Sequence, residues 1–197
     1  MSSRPELTDL LSALARILPE WSDGWYLFGA HAVSVWGLPR LTADVDVTAR
    51  LRSNDPASFA VAMQKAGFDL RVDNVEEFVR RTRVVPFVHR ATQIPVDVVL
   101  AGSGIEDGFL ERARPVDVGG VTVPVISPED LLITKTLAGR PKDVEDVRGI
   151  LRERLVELDI PRVRRILRQL DESLSRSDLE RLFEHELQAI EQSRAKE

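Results

Sequence analysis

The hydrophobic positions in the chain up to about residue 126 predict an alternation of helices and strands. Apolar residues over Pro5 to Leu18 recur at three- and four-residue spacing, which predicts a helix with one buried face. The run "WYLFGAHAVSVWG" predicts a strand, a tight turn at Gly29 and a helix that ends at Gly37. "TADVDVTA" predicts a second strand, and "NDPASFAVAMQKAG" predicts a helix with Asp55 as its N-cap.

The next segment predicts strands in succession. "FDLRV" is a third strand candidate. "FVRRTRVVPFVHRATQIPVDVVLAG" predicts two strands joined near Arg90 to Gln93, and Pro86 indicates that the first is an edge strand or has a bulge. "RPVDVGGVTVPV" predicts a hairpin that turns at Gly119 and Gly120.

After Ser127 the pattern is helical almost to the end of the chain. Ser127 is the predicted N-cap of a helix that begins at Pro128 and stops at Gly139. Helical patterns continue through "VEDVRGILRERLVEL", "PRVRRILRQL" and "SDLERLFEHELQAIEQ", and the tail "EQSRAKE" is predicted to be frayed. We therefore expect an α+β protein, with a mixed β-sheet flanked by helices in residues 1–126 and an all-helical region in residues 127–197.

Composition excludes some classes of protein. The chain has 197 residues, of which 43% are hydrophobic and 30% charged, as in ordinary globular proteins. A net charge of −5 gives no global basic field for nucleic acid. The chain has no cysteine, which excludes disulfides and thiolate zinc sites. No uninterrupted apolar stretch resembles a signal peptide or a membrane span, so the expected location is the cytoplasm and no membrane partner is expected.

Two carboxylates interrupt the strand "TADVDVTA". Asp44 and Asp46 are two residues apart, so in a strand they share a face with their Cα atoms about 6.6 Å apart, while Val45 and Val47 face the core. Like charges this close favour a cation between them, and Mg²⁺ takes carboxylate and phosphate oxygens together. The alternative is the solvated face of an edge strand.

Asp97 interrupts a second apolar strand, "IPVDVVL". If the two strands are neighbours, three aspartates converge and can hold two metal ions about 3.5–4 Å apart, as in phosphoryl transfer. The alternative is that Asp97 is an outward-facing residue of a one-sided sheet. Upstream, the turn at Gly29 opens a helix whose free N–H groups and dipole favour a phosphate.

These segments resemble the nucleotidyltransferase superfamily related to DNA polymerase beta. The resemblance rests on "LFGA", a thirteen-residue spacer, "DVDV" and the later "VDVV". "RLTADVDV" is similar to the R-x-T-x-D-x-D variant of bacterial nucleotidyltransferases of the AbiE and MenT toxin type, and "KTLAGRPKDVEDV" resembles their second motif. The resemblance covers about Trp25 to Val147 and implies the mixed sheet of that superfamily.

The resemblance also implies roles for individual residues. Asp44 and Asp46 would bind two Mg²⁺ ions, with Mn²⁺ as the alternative metal, and Asp97 would complete the second site and help to deprotonate the acceptor hydroxyl. Lys135 would contact the triphosphate, and Asp143 or Asp146 would position Lys135 or the nucleotide. The implied nucleotide-binding residues are Gly29, Ala30, His31, Arg40, Thr42, Lys135, Asp143 and Asp146. Ala30 stands where the superfamily prefers Gly or Ser, so the backbone donors remain but a side-chain hydroxyl is missing.

Several of these residues also have a purely structural interpretation. Lys135 follows Leu131 by one helical turn and could be a surface lysine whose stem covers apolar area. Asp143 lies in the first turn of a helix, where the dipole alone favours an acid. Arg40 can be a solvated loop arginine.

Two arginine-rich segments are candidate RNA contacts. In "RVRRILRQL" the apolar residues form a buried stripe and the arginines occupy the remaining face. Arg80, Arg81 and Arg83 are expected on a strand beside that of Asp97. His89 and His185 are isolated in the sequence, so no histidine metal site is predicted.

The sequence thus predicts a Mg²⁺-dependent nucleotidyltransferase that moves an NMP group from an NTP to an acceptor hydroxyl. The acceptor classes left open are RNA, a protein and a small molecule, and a toxin that acts on RNA beside an antitoxin partner is one hypothesis. The alternatives are a non-catalytic NTP-binding module or antitoxin-type partner with the same fold, a D-x-D glycosyltransferase, and an interaction protein that uses its helical region.

Overall fold

The structure is a computed structural model that describes residues 4–102 and 104–195. The chain folds into two compact units. The first comprises the chain up to His31 together with Leu41–Ile126, and the second comprises Ala32–Arg40 together with the chain from Ser127 onward. The division at residue 126 expected from the sequence differs from these units in the segment Ala32–Arg40, and the domain assignment itself stays a prediction.

The first unit is built on one mixed sheet, which has seven strands within the described residues. These strands are β1 Ser22–Leu27, β2 Val45–Leu51, β3 Phe68–Leu70, β4 Val84–His89, β5 Pro95–Leu100, β6 Arg114–Val118 and β7 Val121–Val125. Their order is β3-β4-β5-β2-β1-β7-β6, with β2–β5 and β1–β7 parallel and the other pairs antiparallel. This is the mixed sheet that the sequence predicted.

Helices flank this sheet. They are α1 Arg4–Trp21, α2 Gly29–Trp36, α3 Pro56–Lys65, α4 Val75–Thr82 and α5 Ile105–Glu111, of which α2 continues into the second unit. The Asp55 carboxylate accepts a hydrogen bond from Ser58 N at 2.9 Å, which confirms the predicted N-cap of α3. Phe59 of α3 contacts Phe87 of β4 edge to face with ring centroids 6.0 Å apart, so one face of the sheet is a packed core.

The strand assignment was wrong for one segment and incomplete for another. Phe78 to Thr82, predicted as strand, lie in α4, whose N-cap Asn74 accepts a hydrogen bond from Glu77 N. Pro86 does not lie in an outermost strand, because β4 pairs with β5 and with the short strand β3. The β3–β4 ladder ends at this point: Pro86 O accepts a hydrogen bond from Arg71 N just after β3, and the return bond that an N–H at position 86 would donate is absent. Helix α5 had not been predicted.

The second unit is helical, as predicted. Its helices are α6 Pro128–Ala138, α7 Pro141–Arg154, a 3₁₀ turn at Leu155–Glu157, α8 Ile160–Ser173 and α9 Leu179–Arg194. The Ser127 hydroxyl accepts from Asp130 N at 3.1 Å, and Gly139 ends α6 with φ +61°, so both predicted ends of α6 are confirmed. Residues 191–194 belong to α9, contrary to the predicted fraying of the tail, of which Lys196 and Glu197 lie outside the described residues.

Ion pairs join the helices of the second unit. Arg164 and Arg168 of α8 bind Glu184 and Glu180 of α9, with closest N–O distances of 2.5 and 2.6 Å. Both arginines belong to the segment "RVRRILRQL" that was a candidate RNA contact. They bind carboxylates of a neighbouring helix here, so the structure gives them a role in helix packing.

Helix length and hydropathy bear on membrane association. Among the residues that the structure describes, no helix is long and apolar enough to cross a bilayer.

Candidate active site

Asp46 and Asp97 face each other on neighbouring strands of the first unit. They are register partners in the parallel pair β2–β5, where strands lie about 4.8 Å apart. Their neighbours Val45 and Val47 are fully buried on the opposite face, whereas both aspartates are half-exposed. The expectation that the two strands are neighbours is therefore confirmed, and two carboxylates share one open face of the sheet.

Asp44 lies in a bend directly before β2 and not within the strand, contrary to the sequence-based prediction. The Thr42 hydroxyl donates a hydrogen bond to Asp44 Oδ1 at 2.5 Å. Sequence reasoning had assigned Thr42 to a phosphate, but here its hydroxyl fixes the orientation of the Asp44 carboxylate.

The N-terminus of α2 lies against the Asp46 carboxylate. Phe28 N donates to Asp46 O at 3.0 Å, and the next residue, Gly29, has φ +64°. A Cβ on Gly29 would lie 2.0 Å from Asp46 Oδ2, so only glycine permits this approach. The positive end of the helix dipole favours a carboxylate or a phosphate at this place.

Ala30 and His31 follow Gly29 in the first turn of α2. Ala30 is buried, with 3% of its surface exposed, and His31 is half-exposed. Ala30 brings no hydroxyl to this turn. The predicted roles of both residues in binding a triphosphate stay predictions.

Arg71 binds Asp97 and was not identified from the sequence. It follows β3, where its N–H donates to Pro86 O at 3.0 Å. Its guanidinium forms an ion pair with Asp97 Oδ1. The pairing depends on the strand order β3-β4-β5, which the sequence pattern does not specify.

The donors suit a hard cation, although a complete ligand set is not assembled. Among the described residues, no three His, Asp or Glu side chains come together as a metal site. Thr42 and Arg71 each hold one of the three aspartates. The carboxylate oxygens of Asp44, Asp46 and Asp97 are the donor type that Mg²⁺ and Mn²⁺ prefer, so the residues fit such an ion in chemistry.

A second cluster of charges lies in the helical unit. Lys135 Nζ is 3.2 Å from Asp143 Oδ1 and 2.7 Å from Asp146 Oδ2, and all three side chains are buried. Arg140 also binds Asp143, and Arg40 binds Asp146 at 3.1 Å. Charged residues of the segment "KTLAGRPKDVEDV" therefore form a buried network of ion pairs, in which Lys135 has two carboxylate partners.

Asp143 is ionised in this network. Burial acts to raise the pKa of Asp143, but hydrogen bonds from Arg140 and Lys135 outweigh it and hold this pKa below its usual range. The interpretation of Lys135 as a surface lysine is thus wrong, since only 7% of it is exposed. Contact of Lys135, Arg40, Asp143 and Asp146 with a nucleotide stays a prediction.

The remaining candidates lie elsewhere. Arg80 and Arg81 are exposed on α4 and not on a strand, and Arg83 donates to Leu100 O. His89 Nδ1 is 2.9 Å from the Thr92 hydroxyl, and burial lowers the pKa of His89. His185 Nδ1 is 3.1 Å from Glu186 Oε1.

The fold and the carboxylate pair agree with the family to which the chain belongs. Residues 7–194 match the family described as "Nucleotidyltransferase of unknown function (DUF6036)", so the chain is a member of this nucleotidyltransferase family. No curated protein matches the chain.

Solved nucleotidyltransferase structures have a similar fold. The solution structure of the antibiotic-resistance factor ANT(2'')-Ia has a TM-score of 0.57 at 14% identity, over 89% of this chain and 97% of that protein. A nucleotidyltransferase-like protein from Paracoccidioides brasiliensis has a TM-score of 0.53 at 18% identity, over 93% of this chain and 94% of its own. The lincosamide antibiotic adenylyltransferase LnuA has a TM-score of 0.50 at 12% identity, over 74% of this chain and 94% of its own. At these identities the likeness concerns the fold alone.

Proposed function

We propose that this chain is a metal-dependent nucleotidyltransferase that transfers an NMP group from an NTP to an acceptor hydroxyl and releases pyrophosphate. The observation that carries this proposal is the register pair Asp46 and Asp97 beside the N-terminus of α2, in a chain of a nucleotidyltransferase family. Acidic oxygens and a helix N-terminus then lie together, which is what a metal-bound triphosphate requires.

Asp44, Asp46 and Asp97 are the residues that would hold the metal, Mg²⁺ or Mn²⁺. When bound, such ions neutralise phosphate charge and polarise the phosphoryl group. Arg71 and Thr42 hold two of these carboxylates in the structure, so full ligation requires local rearrangement at Asp97.

Several candidate site residues of the first unit have defined parts in the proposed reaction. Asp97 accepts the proton of the acceptor hydroxyl, whose oxygen then bonds to the α-phosphorus. The bond from the α-phosphorus to the bridging oxygen of the β-phosphate breaks, and pyrophosphate leaves. The backbone N–H groups that follow Gly29 bind phosphate oxygens, and Thr42 keeps Asp44 oriented.

The acceptor is the open part of the proposal. The R-x-T-x-D-x-D resemblance suggests RNA as the acceptor, and the protein would then be a toxin with an antitoxin partner. We keep this hypothesis. Small molecules are the alternative, because ANT(2'')-Ia is described as an antibiotic-resistance factor and LnuA as a lincosamide antibiotic adenylyltransferase. Fold similarity does not choose between them. The proposed compartment is the cytoplasm, where NTPs and Mg²⁺ are available.

The proposal is tested by transfer of label from α-labelled NTPs in Mg²⁺, with RNA, protein and the antibiotics tobramycin and lincomycin as acceptors in parallel. We expect Asp46→Asn and Asp97→Asn to abolish transfer. Asp69→Asn is the matched control, since it removes a carboxylate of β3 that pairs with Arg90 in the same sheet. Equal transfer by the wild type and Asp46→Asn would refute the catalytic assignment.

A non-catalytic NTP-binding module is the second candidate, and Ala30 favours it. The resemblance implies Gly or Ser at this turn, and Ala30 brings no hydroxyl there, while the backbone donors persist. Calorimetric NTP binding that is independent of Mg²⁺, without transfer to any acceptor, would support this module and contradict the enzyme.

A further inference from the structure

Arg71 reaches Asp97 across the intervening strand β4. Arg71, Pro86, Asp97 and Asp46 form one row across the sheet, because Arg71 N bonds Pro86 O and because Pro86 and Asp46 are both register partners of Asp97. The Cα atoms of Arg71 and Asp97 are thus two strand spacings apart, about 9.6 Å. An arginine and an aspartate side chain together span this distance.

Pro86 makes this crossing feasible. Register partners point to the same face of a sheet, so the Pro86 side chain lies between those of Arg71 and Asp97. Its compact ring leaves space above the strand for the Arg71 side chain. The neighbours Val85 and Phe87 are fully buried on the other face, which fixes β4 in this orientation.

We propose that Arg71 is a positioning residue that competes with a divalent cation for the carboxylate of Asp97. This inference rests on the proposed function, in which Asp97 is a metal ligand. The Asp97 Oδ1 that binds Arg71 is unavailable to a metal while this ion pair is closed. Arg71 also offsets the repulsion between the Asp46 and Asp97 carboxylates when no metal is bound.

The consequence is a site that binds free metal weakly. A cation gains full access to Asp97 only when the ion pair with Arg71 opens. The free energy needed to open the pair makes the free energy of metal binding less favourable by the same amount. The side chains of Arg71 and Asp97 are 38% and 34% exposed. Because solvent weakens a part-exposed ion pair, opening this pair costs little free energy.

The test measures the Kd of Mn²⁺ for the full chain without nucleotide, from the electron paramagnetic resonance signal of free Mn²⁺ at fixed ionic strength. We expect Arg71→Gln to tighten binding about two- to fivefold, the range that a part-exposed ion pair supports. Arg71→Lys retains the positive charge but loses the planar fork, so its Kd should lie between those of the wild type and Arg71→Gln.

Arg90→Gln is the matched control. Arg90 follows β4 and pairs with Asp69 of β3, so the variant removes the same charge from the same sheet without touching Asp97. Its Mn²⁺ affinity should stay within experimental error of the wild type. Asp97→Asn supplies a second control, because Arg71→Gln should produce no further tightening in the Asp97→Asn background.

The outcomes separate this inference from the proposed function. Mn²⁺ binding that is equal in the wild type and Arg71→Gln, or tightening that persists in the Asp97→Asn background, overturns the inference while the metal site stands. Absence of saturable Mn²⁺ binding in both the wild type and Arg71→Gln overturns the metal site and the inference together.

Discussion

Gly29 and Asp46 approach each other so closely that no other residue fits at position 29. A Cβ on Gly29 would lie 2.0 Å from Asp46 Oδ2, and the backbone φ of +64° is itself unfavourable for other residues. The start of α2 and the carboxylate of β2 are therefore positioned by one contact.

Gly29→Ala should displace the Asp46 carboxylate. The left-handed backbone costs roughly 1–2 kcal/mol for alanine, and the overlap with Oδ2 adds to it. We expect a lower free energy of unfolding in urea and loss of most nucleotidyl transfer.

Gly139→Ala is the control for backbone strain. Gly139 has φ +61°, almost the same as Gly29, but the nearest atom to its Cβ position is 3.6 Å away. It should lose similar stability from the backbone and retain transfer activity. If both variants lose transfer equally, the contact with Asp46 is not the cause.

Thr42→Val tests the orientation of Asp44. Valine matches threonine in shape but cannot donate the 2.5 Å hydrogen bond to Asp44 Oδ1. Loss of one hydrogen bond to a charged group, about 1.5–3 kcal/mol, predicts a roughly ten- to hundredfold fall in kcat/KM. Thr42→Ser retains the hydroxyl and should restore most of the rate. Failure of serine to do so would contradict this role.

The elements that the sequence predicted correctly have strong local signals. Asp55 and Ser127 begin helices, Gly139 ends one, and Gly119 and Gly120 form the hairpin turn. Helices α4 and α5 were missed for different reasons, since α4 does have an N-cap, Asn74. No residue of α4 is fully buried, and α5 follows Gly104, which has no side chain to act as a cap.

The site was predictable where it depends on strand periodicity. Asp46 and Asp97 each interrupt a buried apolar strand, and the register of β2 with β5 brings them together. Arg71 was missed because its contact depends on the order of three strands. The partners of Lys135 were foreseen from the motif, whereas its burial results from packing among the helices of the second unit.

Asp143 should make the stability of the protein depend on pH. Its folded pKa lies below its usual value because Arg140 and Lys135 outweigh the effect of burial. The Asp143 carboxylate therefore adds to the free energy of unfolding above the pKa of the unfolded state, about 4. This contribution is lost as the pH falls through the pKa of the folded state. At neutral pH, Asp143→Asn should lower the free energy of unfolding by about 1.5–3 kcal/mol.

Urea unfolding of both proteins from pH 7 downward checks this prediction. The difference between the wild type and Asp143→Asn should shrink as the pH falls below about 4. Asp69→Asn, which breaks the exposed pair with Arg90, should show a smaller difference at neutral pH. A difference for Asp143→Asn that is constant down to acid pH would show that the carboxylate charge is not responsible.

Ala30→Ser tests whether the triphosphate lies over the start of α2. A hydroxyl at position 30 adds a donor beside the backbone N–H groups that follow Gly29, so NTP affinity should rise roughly two- to tenfold for one new hydrogen bond. Calorimetry with a non-hydrolysable NTP analogue in Mg²⁺ measures this change. Ala32→Ser places a hydroxyl at a fully buried position of the same helix and should not tighten binding. If Ala30→Ser and Ala32→Ser bind the analogue alike, the side chain at position 30 does not contact the phosphates.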